Sequence, residues 1–366
     1  MSRLNSSAPI SEPSLPLADQ CSQSAFYAAK KTFQNREGKW GAAAPTPDHY
    51  YCQLLKTPTH TLAISSDGIG TKIEVAERCG NYTTLGFDLT AMIADDLICS
   101  GAEPTHLSNI LDVDSLDSSI VDVLLRGLQK AADEAGMMVT GGEIAELGTR
   151  IGGYGPRMHF NWCATGLGIL PNDTKPIDGS SIQEGDVVIA LRSCGLRSNG
   201  FSLARKILDA RYGDAWHREP FDAESTWGEK LLTPCLIYAP YILQLLKNKH
   251  SIKGIAHITG GGIPGNLERI LAPWHKGAVL DNLHAPHPEQ LKLQEWGDVS
   301  HTQAYLTWNM GNGMLFVLAP EAVERVLREL QNTKLQAKRA GIVSGDRSIS
   351  ILSPESDAVL HFPYEE

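Results

Sequence analysis

No apolar run in this 366-residue chain approaches the ~20 residues a helix needs to cross a bilayer. Nor is there an excess of basic residues: 32 Lys and Arg against 42 Asp and Glu leave a formal charge of −10. A general nucleic-acid binder is thereby disfavoured, because neutralising phosphates needs a basic face and no Lys/Arg block is present. A phosphorylated small molecule stays open, since a metal ion and a few backbone N–H groups can hold one. Cysteine is sparse as well, with seven residues at 21, 52, 79, 99, 163, 194 and 235. No CxxC or Cys/His cluster has zinc-like spacing, so these thiols are expected to be small buried hydrophobes in a reducing compartment. The two common glycine signatures for nucleotides, GxxxxGK[ST] and GxGxxG, are both missing, which removes support for a P-loop or a Rossmann site.

What is present suits a soluble globular protein, with 42% hydrophobic and 20% charged residues. At roughly 150 residues per domain the length suggests two domains. Met1–Gln20 is rich in Ser and Pro without the basic start and apolar core of a secretory signal, so it reads as a polar tail on a cytoplasmic protein. Periodicity predicts helices over 22–34, 88–100 (with Asp88 as N-cap and Gly101 at the C′ position), 120 to Gly136, 201–211, one opened by Pro264, and 321–330. Strands are expected over 62–65, 137–140, 187–191, 254–258 and 314–318. The polar, turn-rich segment Pro171–Gly185 is the best boundary, giving domains at 21–173 and 174–366 behind the tail 1–20. Strands alternating with helices indicate an α/β or α+β architecture in two halves.

Several strand–glycine–helix junctions are ready-made anion sites, because unpaired N–H groups at a helix N-terminus point at the anion and glycine lets it approach. His257-Ile258-Thr259-Gly260-Gly261-Gly262-Ile263-Pro264 is the strongest of these, with a flexible connector as the plainer reading. Three carboxylates stand out: Asp67 in a DGIGTK turn, Asp96 in a helix and Glu143 in a GGE turn. Asp96 follows Leu89 by seven residues, about 20° around an ideal helix, so it projects from the apolar stripe, where an unpaired carboxylate is costly. It therefore wants a cation, either Mg²⁺ or a partner such as Lys72 or an Arg. Asp95 falls off the stripe and is expected to be solvated. His257 suits proton transfer, a phosphate contact or a structural role. Asn199 either caps the following helix or meets ligand, and Asn309 is a ligand contact or a plain turn residue. Arg197 brings a fixed cation to the Asn199 loop. Trp162 and Trp308 are expected in the core or an interface.

Seven segments, in one order, resemble the aminoimidazole ribonucleotide (AIR) synthetase family, also called phosphoribosylformylglycinamidine cyclo-ligase. They are SDGIGTK (66–72), GFDLTAMIADDLICSGAEP (86–104), GGEIAE (141–146), the SNGFSL region (185–203), LLTPCLIY (231–238), AHITGGGIPGNL (256–267) and NMGNGM (309–314). The chain departs from the family's usual pattern at Arg197, where His is usual, and at Ile144, where Thr usually follows the Glu. It departs again in the thin glycine loop Gly38–Ala42 and in the strand Phe160–Cys163.

The resemblance implies an α/β N-terminal domain that completes a barrel across a homodimer, a C-terminal α+β domain, and ATP with Mg²⁺ in the cleft between them. It implies ring closure of formylglycinamidine ribonucleotide (FGAM) to AIR with ADP and phosphate, the amide oxygen being phosphorylated so that it can leave. Carried onto this chain, it puts metal at Asp67, Asp96 and Glu143, and ATP at Asp67, Gly68, Lys72, Asp96, Glu143 and Asn199. The phosphoribosyl substrate would meet Arg197, Ser198, Asn199, Gly260, Gly261, Gly262 and Asn309. Chemistry would fall to His257, Asp96 and Lys72. Two other readings compete: another ATP-dependent enzyme of the superfamily acting on a different amide or acid, and a nucleotide-binding paralogue without turnover.

Overall fold

The computed structural model describes residues 15–171, 173–356 and 358–364. The first half builds one mixed sheet from β1 (Ala42–Ala43), β2 (Gln53–Lys56), β3 (His60–Gly68), β4 (Glu103–Val113), β5 (Met138–Glu146) and β6 (Phe160–Pro171). Its strand order is β1-β2-β3-β6-β4-β5, with only the β4–β5 pair parallel. Helices α1 (Leu15–Thr32), α2 (Lys72–Cys79), α3 (Leu85–Cys99) and α4 (Ser118–Ala135) accompany it. β6 ends at Pro171 and the next strand opens at Val187, so the chain crosses to the second half through the segment read as a boundary. The second sheet has seven strands in the order β13-β12-β9-β11-β7-β10-β8. They are β7 (Val187–Arg192), β8 (Ile252–His257), β9 (Gly277–Leu280), β10 (Asn312–Leu318), β11 (Ala337–Ser344), β12 (Ser348–Leu352) and β13 (Val359–Pro363). Of its helices, α5 (Phe201–Tyr212), α6 (Trp227–Leu231), α7 (Ala239–Lys247) and α8 (Gly262–Leu271) bear on the site.

Helix α3 is the hub. Leu89, Ala91, Ile93, Ala94, Leu97 and Ile98 are wholly buried, because the helix is covered by its own sheet on one side and by α7 and β8 of the second half on the other. α4 crosses it so closely that a Cβ on Gly86 would lie 2.2 Å from the Leu128 amide nitrogen. Asp117 caps α4 through the amides of Ser119 and Ile120, and Gly136, at φ 68°, ends it. Trp162 and Trp308 are core residues, as expected.

Several local expectations need correction. Positions 1–14 of the expected tail lie outside the described residues, but Leu15–Gln20 belong to α1, where Pro16 in the first turn costs no hydrogen bond. α3 starts at Leu85, so Asp88 is not its N-cap but a first-turn residue bonded elsewhere. The GGE segment is not a turn: it continues β5 to Glu146. All seven cysteines are free; Cys52, Cys99 and Cys235 are buried as expected, whereas Cys21 and Cys194 are exposed. No described helix is long and apolar enough to cross a membrane.

Candidate active site at the domain seam

The two halves meet along α3, and ionisable side chains line that seam. Asp96 Oδ1 accepts from His257 Nδ1 at 2.8 Å, and its Oδ2 lies 3.3 Å from the donating Ser65 hydroxyl. Burial pushes the Asp96 carboxyl up to about 7, against the pull of the Arg269 guanidinium. Asp67, at the end of β3, accepts the Gly68 amide at 2.7 Å, and burial pushes it up to about 6. Asp67 feels the charge of Asp96, and both feel that of Arg269, which rests 5.1 Å over the ring of Tyr51. Tyr51 in turn donates its hydroxyl to the Asn266 carbonyl at 2.7 Å, on the same helix as Arg269. A pair of half-buried carboxylates whose acidity burial weakens more than Arg269 restores it remains short of positive charge.

Behind this pair stands a second row. His257 is fully buried at the end of β8, and Arg197 sets an N–H 2.6 Å from its Nε2. The same guanidinium reaches Asp95 at 2.9 Å and the Leu236 carbonyl at 3.0 Å. Asp95 Oδ1 also accepts the amides of Tyr238 and Ala239, at 2.8 and 2.9 Å, closing the N-terminus of α7. Burial and the neighbouring guanidinium hold His257 well below its ordinary range, hence neutral.

The glycine loop forms the seam's other wall. Gly261 and Gly262 have φ of 88° and 61°, and a Cβ on Gly262 would stand 1.9 Å from the Tyr305 carbonyl oxygen, so only glycine fits there. Asn266 ties the loop down by donating to the carbonyls of Gly260 and Gly262. Opposite lies the Ser198–Asn199 turn, where a Cβ on Gly260 would sit 3.3 Å from Asn199 Nδ2. Ser198 Oγ and Asn199 Oδ1 are buried without a hydrogen-bond partner. Asn199 does not cap α5, whose N-cap position is Gly200. Unpaired polar atoms beside the start of a helix point to a polar ligand between these walls.

Four expected site residues are elsewhere. Lys72 is fully buried, its ammonium donating to Asp88 at 2.8 Å and to the Thr233 carbonyl at 2.7 Å, so it cannot counter a nucleotide phosphate. Asn309 is a latch, donating to the Gly195 carbonyl and accepting from Gln290. Arg197 works behind the wall, with 3% exposure, rather than touching substrate. Glu143 lies on edge strand β5, in register with Ile110, while the row through Asp67 crosses Ala164 and Asn109 to Gly142. That puts it three strands away, about 14 Å. Among the described residues no three His, Cys, Asp or Glu side chains gather to hold a metal, so the expected trio reduces to Asp67 and Asp96. Gly68 stays beside Asp67 at the strand end, its amide already taken.

Three participants escaped the sequence. Asp95 is fully buried rather than solvated, because α7 and Arg197 cover the side of α3 that looked free. Ser65 joins Asp96 from β3. Arg269 sits two turns after the triple glycine, a spacing that could have marked it.

Family models match both halves: AIR synthase related protein, N-terminal domain, over residues 49–168, and the corresponding C-terminal domain over 183–353. A phosphoribosylformylglycinamidine cyclo-ligase of Carboxydothermus hydrogenoformans is 38% identical over 293 residues, covering 79% of this chain and 83% of that protein. One from Pyrococcus furiosus is 38% identical over 317 residues, covering 87% and 89%. Among solved structures, hydrogenase maturation protein HypE in complex with ATP shares the fold, with a TM-score of 0.57 at 19% identity over 85% of this chain and 86% of that one. The chain therefore belongs to the AIR synthase related family, and within it to the phosphoribosylformylglycinamidine cyclo-ligases.

Proposed function

We propose that this protein catalyses the ATP-dependent closure of formylglycinamidine ribonucleotide to aminoimidazole ribonucleotide, releasing ADP and phosphate, as a cytoplasmic homodimer. The observation that carries the reading is the seam itself. Asp67 and Asp96 both feel the Arg269 charge, Asp96 bonds His257 at the head of the glycine loop, and that loop packs beside Asn199, in a chain 38% identical to cyclo-ligases over most of its length.

The donor set suits magnesium, which is commonly bound through one or two carboxylates with the remaining ligands from phosphate and water. Asp67 and Asp96 would hold it, and it would supply positive charge to the triphosphate. The amides of Gly260 and Gly261, with Ser198 and Asn199, would bind phosphate oxygens, the Gly262 amide being held by the Thr259 carbonyl. Arg269 takes the cationic role that buried Lys72 cannot fill. In phosphoryl transfer a protein mainly positions the reactants and neutralises charge, and that is what these groups are equipped to do.

A second copy would cover the outer face of the first sheet. Ile64, Ile110 and Met138 are 36%, 47% and 56% exposed there, an apolar set on strands β3, β4 and β5. Glu143, on that sheet's edge strand, would then stand near the interface.

The test incubates the purified protein with FGAM, ATP and Mg²⁺ while following ADP and AIR. Formation of both in equal amounts supports the reading. ATP consumed only with another amide or acid would replace the substrate, and nucleotide binding without turnover would replace the activity.

A further inference from the structure

The contacts of His257 admit one arrangement of hydrogens. An arginine N–H can only donate, and it stands 2.6 Å from Nε2. Two nitrogens that both carry hydrogens toward each other cannot approach so closely, so Nε2 presents its lone pair. The imidazole's single hydrogen is then on Nδ1, which lies 2.8 Å from Asp96 Oδ1 and donates to it. Asp95 fixes the guanidinium from the far side and is itself fixed by the α7 amides. The chain of contacts runs from α7 through Asp95, Arg197 and His257 to Asp96, and every link but the last carboxylate is closed off from the cleft.

We propose that Arg197 is a positioning residue: it locks His257 as the Nδ1–H tautomer, which holds one oxygen of Asp96 and leaves the other for ligand. The imidazole's only basic nitrogen is thereby occupied, so His257 does not carry protons in the reaction. Asp96 meets ligand through Oδ2 alone, in a fixed orientation, with Ser65 as its remaining partner. The proposal rests on the seam being the active site, and it concerns how that site is built.

The ¹⁵N resonances of the His257 ring, measured in the full-length protein without substrate, are expected to show a protonated Nδ1 and a bare Nε2. A protonated Nε2 overturns the proposal, whatever the enzyme's substrate proves to be. Turnover supplies the second arm. In His257→Asn the amide N–H stands where Nδ1–H stood, so kcat should stay within about tenfold of the parent. In His257→Gln the amide sits at the Nε2 position and kcat should fall further, with KM for ATP rising. If His257 transferred protons, both variants would lose about 10²–10⁴-fold in kcat, and the proposal would fail. Arg197→Lys keeps a charge opposite Asp95 but cannot reproduce the planar fork. Its His257 ring should become a mixture of tautomers, with kcat lowered about tenfold. An unchanged ring and unchanged kcat would show that Arg197 does not set the tautomer. Should that variant fail to fold, the ring measurement and the Asn/Gln pair decide. If the unmodified protein turns over no FGAM, the functional reading falls while the ring measurement still tests the lock.

Discussion

Two buried cation–carboxylate pairs stand at the seam, and they do different work. Lys72 and Asp88 are both fully buried, and Lys72 spends its ammonium on Asp88 and a backbone carbonyl, while the Cys235 amide donates to the same Asp88 oxygen at 3.0 Å. Asp88 Oδ2 has no hydrogen-bond partner, but it is buried with the ammonium, so neither is offered to a ligand in the cleft. Arg197 and Asp95 are equally buried, but their contact continues through His257 to Asp96, whose side chain keeps 15% exposure. The first is a clamp between halves; the second is a bracket for a carboxylate at the cleft. Charge type does not separate them, since each pairs a cation with an Asp of α3. What separates them is whether the last group in the chain of contacts reaches open space.

The contrast can be broken most forcefully at the clamp. Lys72→Met leaves Asp88 buried and unpaired, and loss of one partner of such a pair costs about 3–5 kcal/mol. Chemical denaturation should read that loss, while the folded fraction should still bind ATP. Asp96→Asn should act the other way round: kcat on the order of 100-fold lower or worse, about 2.7 kcal/mol in the barrier, with folding retained at neutral pH. Full activity in that variant would remove Asp96 from the site.

A pH series sharpens the same distinction. Asp96 is raised to about 7 in the fold, so the folded protein keeps a proton that the unfolded chain gives up near pH 4. Its contribution to stability is therefore full below about pH 4 and is lost as pH rises through 7. Asn carries no such charge, so unfolding free energies of Asp96→Asn relative to the parent should rise across that window. A flat difference would mean that the carboxylate is already ionised in the fold. The smallest effect is expected at Glu143: Glu143→Gln should change the folding stability of the isolated chain by less than about 0.5 kcal/mol, because the residue is exposed and forms no ion pair among the described residues.

Much of this molecule could be read from local pattern. The α4 stripe with its terminal Gly136 and the triple glycine that leads into α8 stand where periodicity and turn chemistry put them. Errors fell where a residue's surroundings come from far along the chain. Asp95 looked solvated because the α3 stripe was judged against one buried face, and α7 supplies a second. The family resemblance put Lys72 on the nucleotide, but its partners are Asp88 and residue 233.

The sequence by itself determined the elements, their division into two halves, and the presence of acidic, cationic and glycine-rich pieces able to handle a phosphorylated ligand. These follow from hydrophobic period, capping and backbone freedom, which act over a few neighbouring residues. Only the tertiary structure decided which charge meets which. His257 and Asp96 lie 161 positions apart, and Arg197 and Asp95 lie 102 apart. A hydrogen bond requires its atoms within about 3 Å, and no local pattern fixes that separation until α3 is packed between the two sheets.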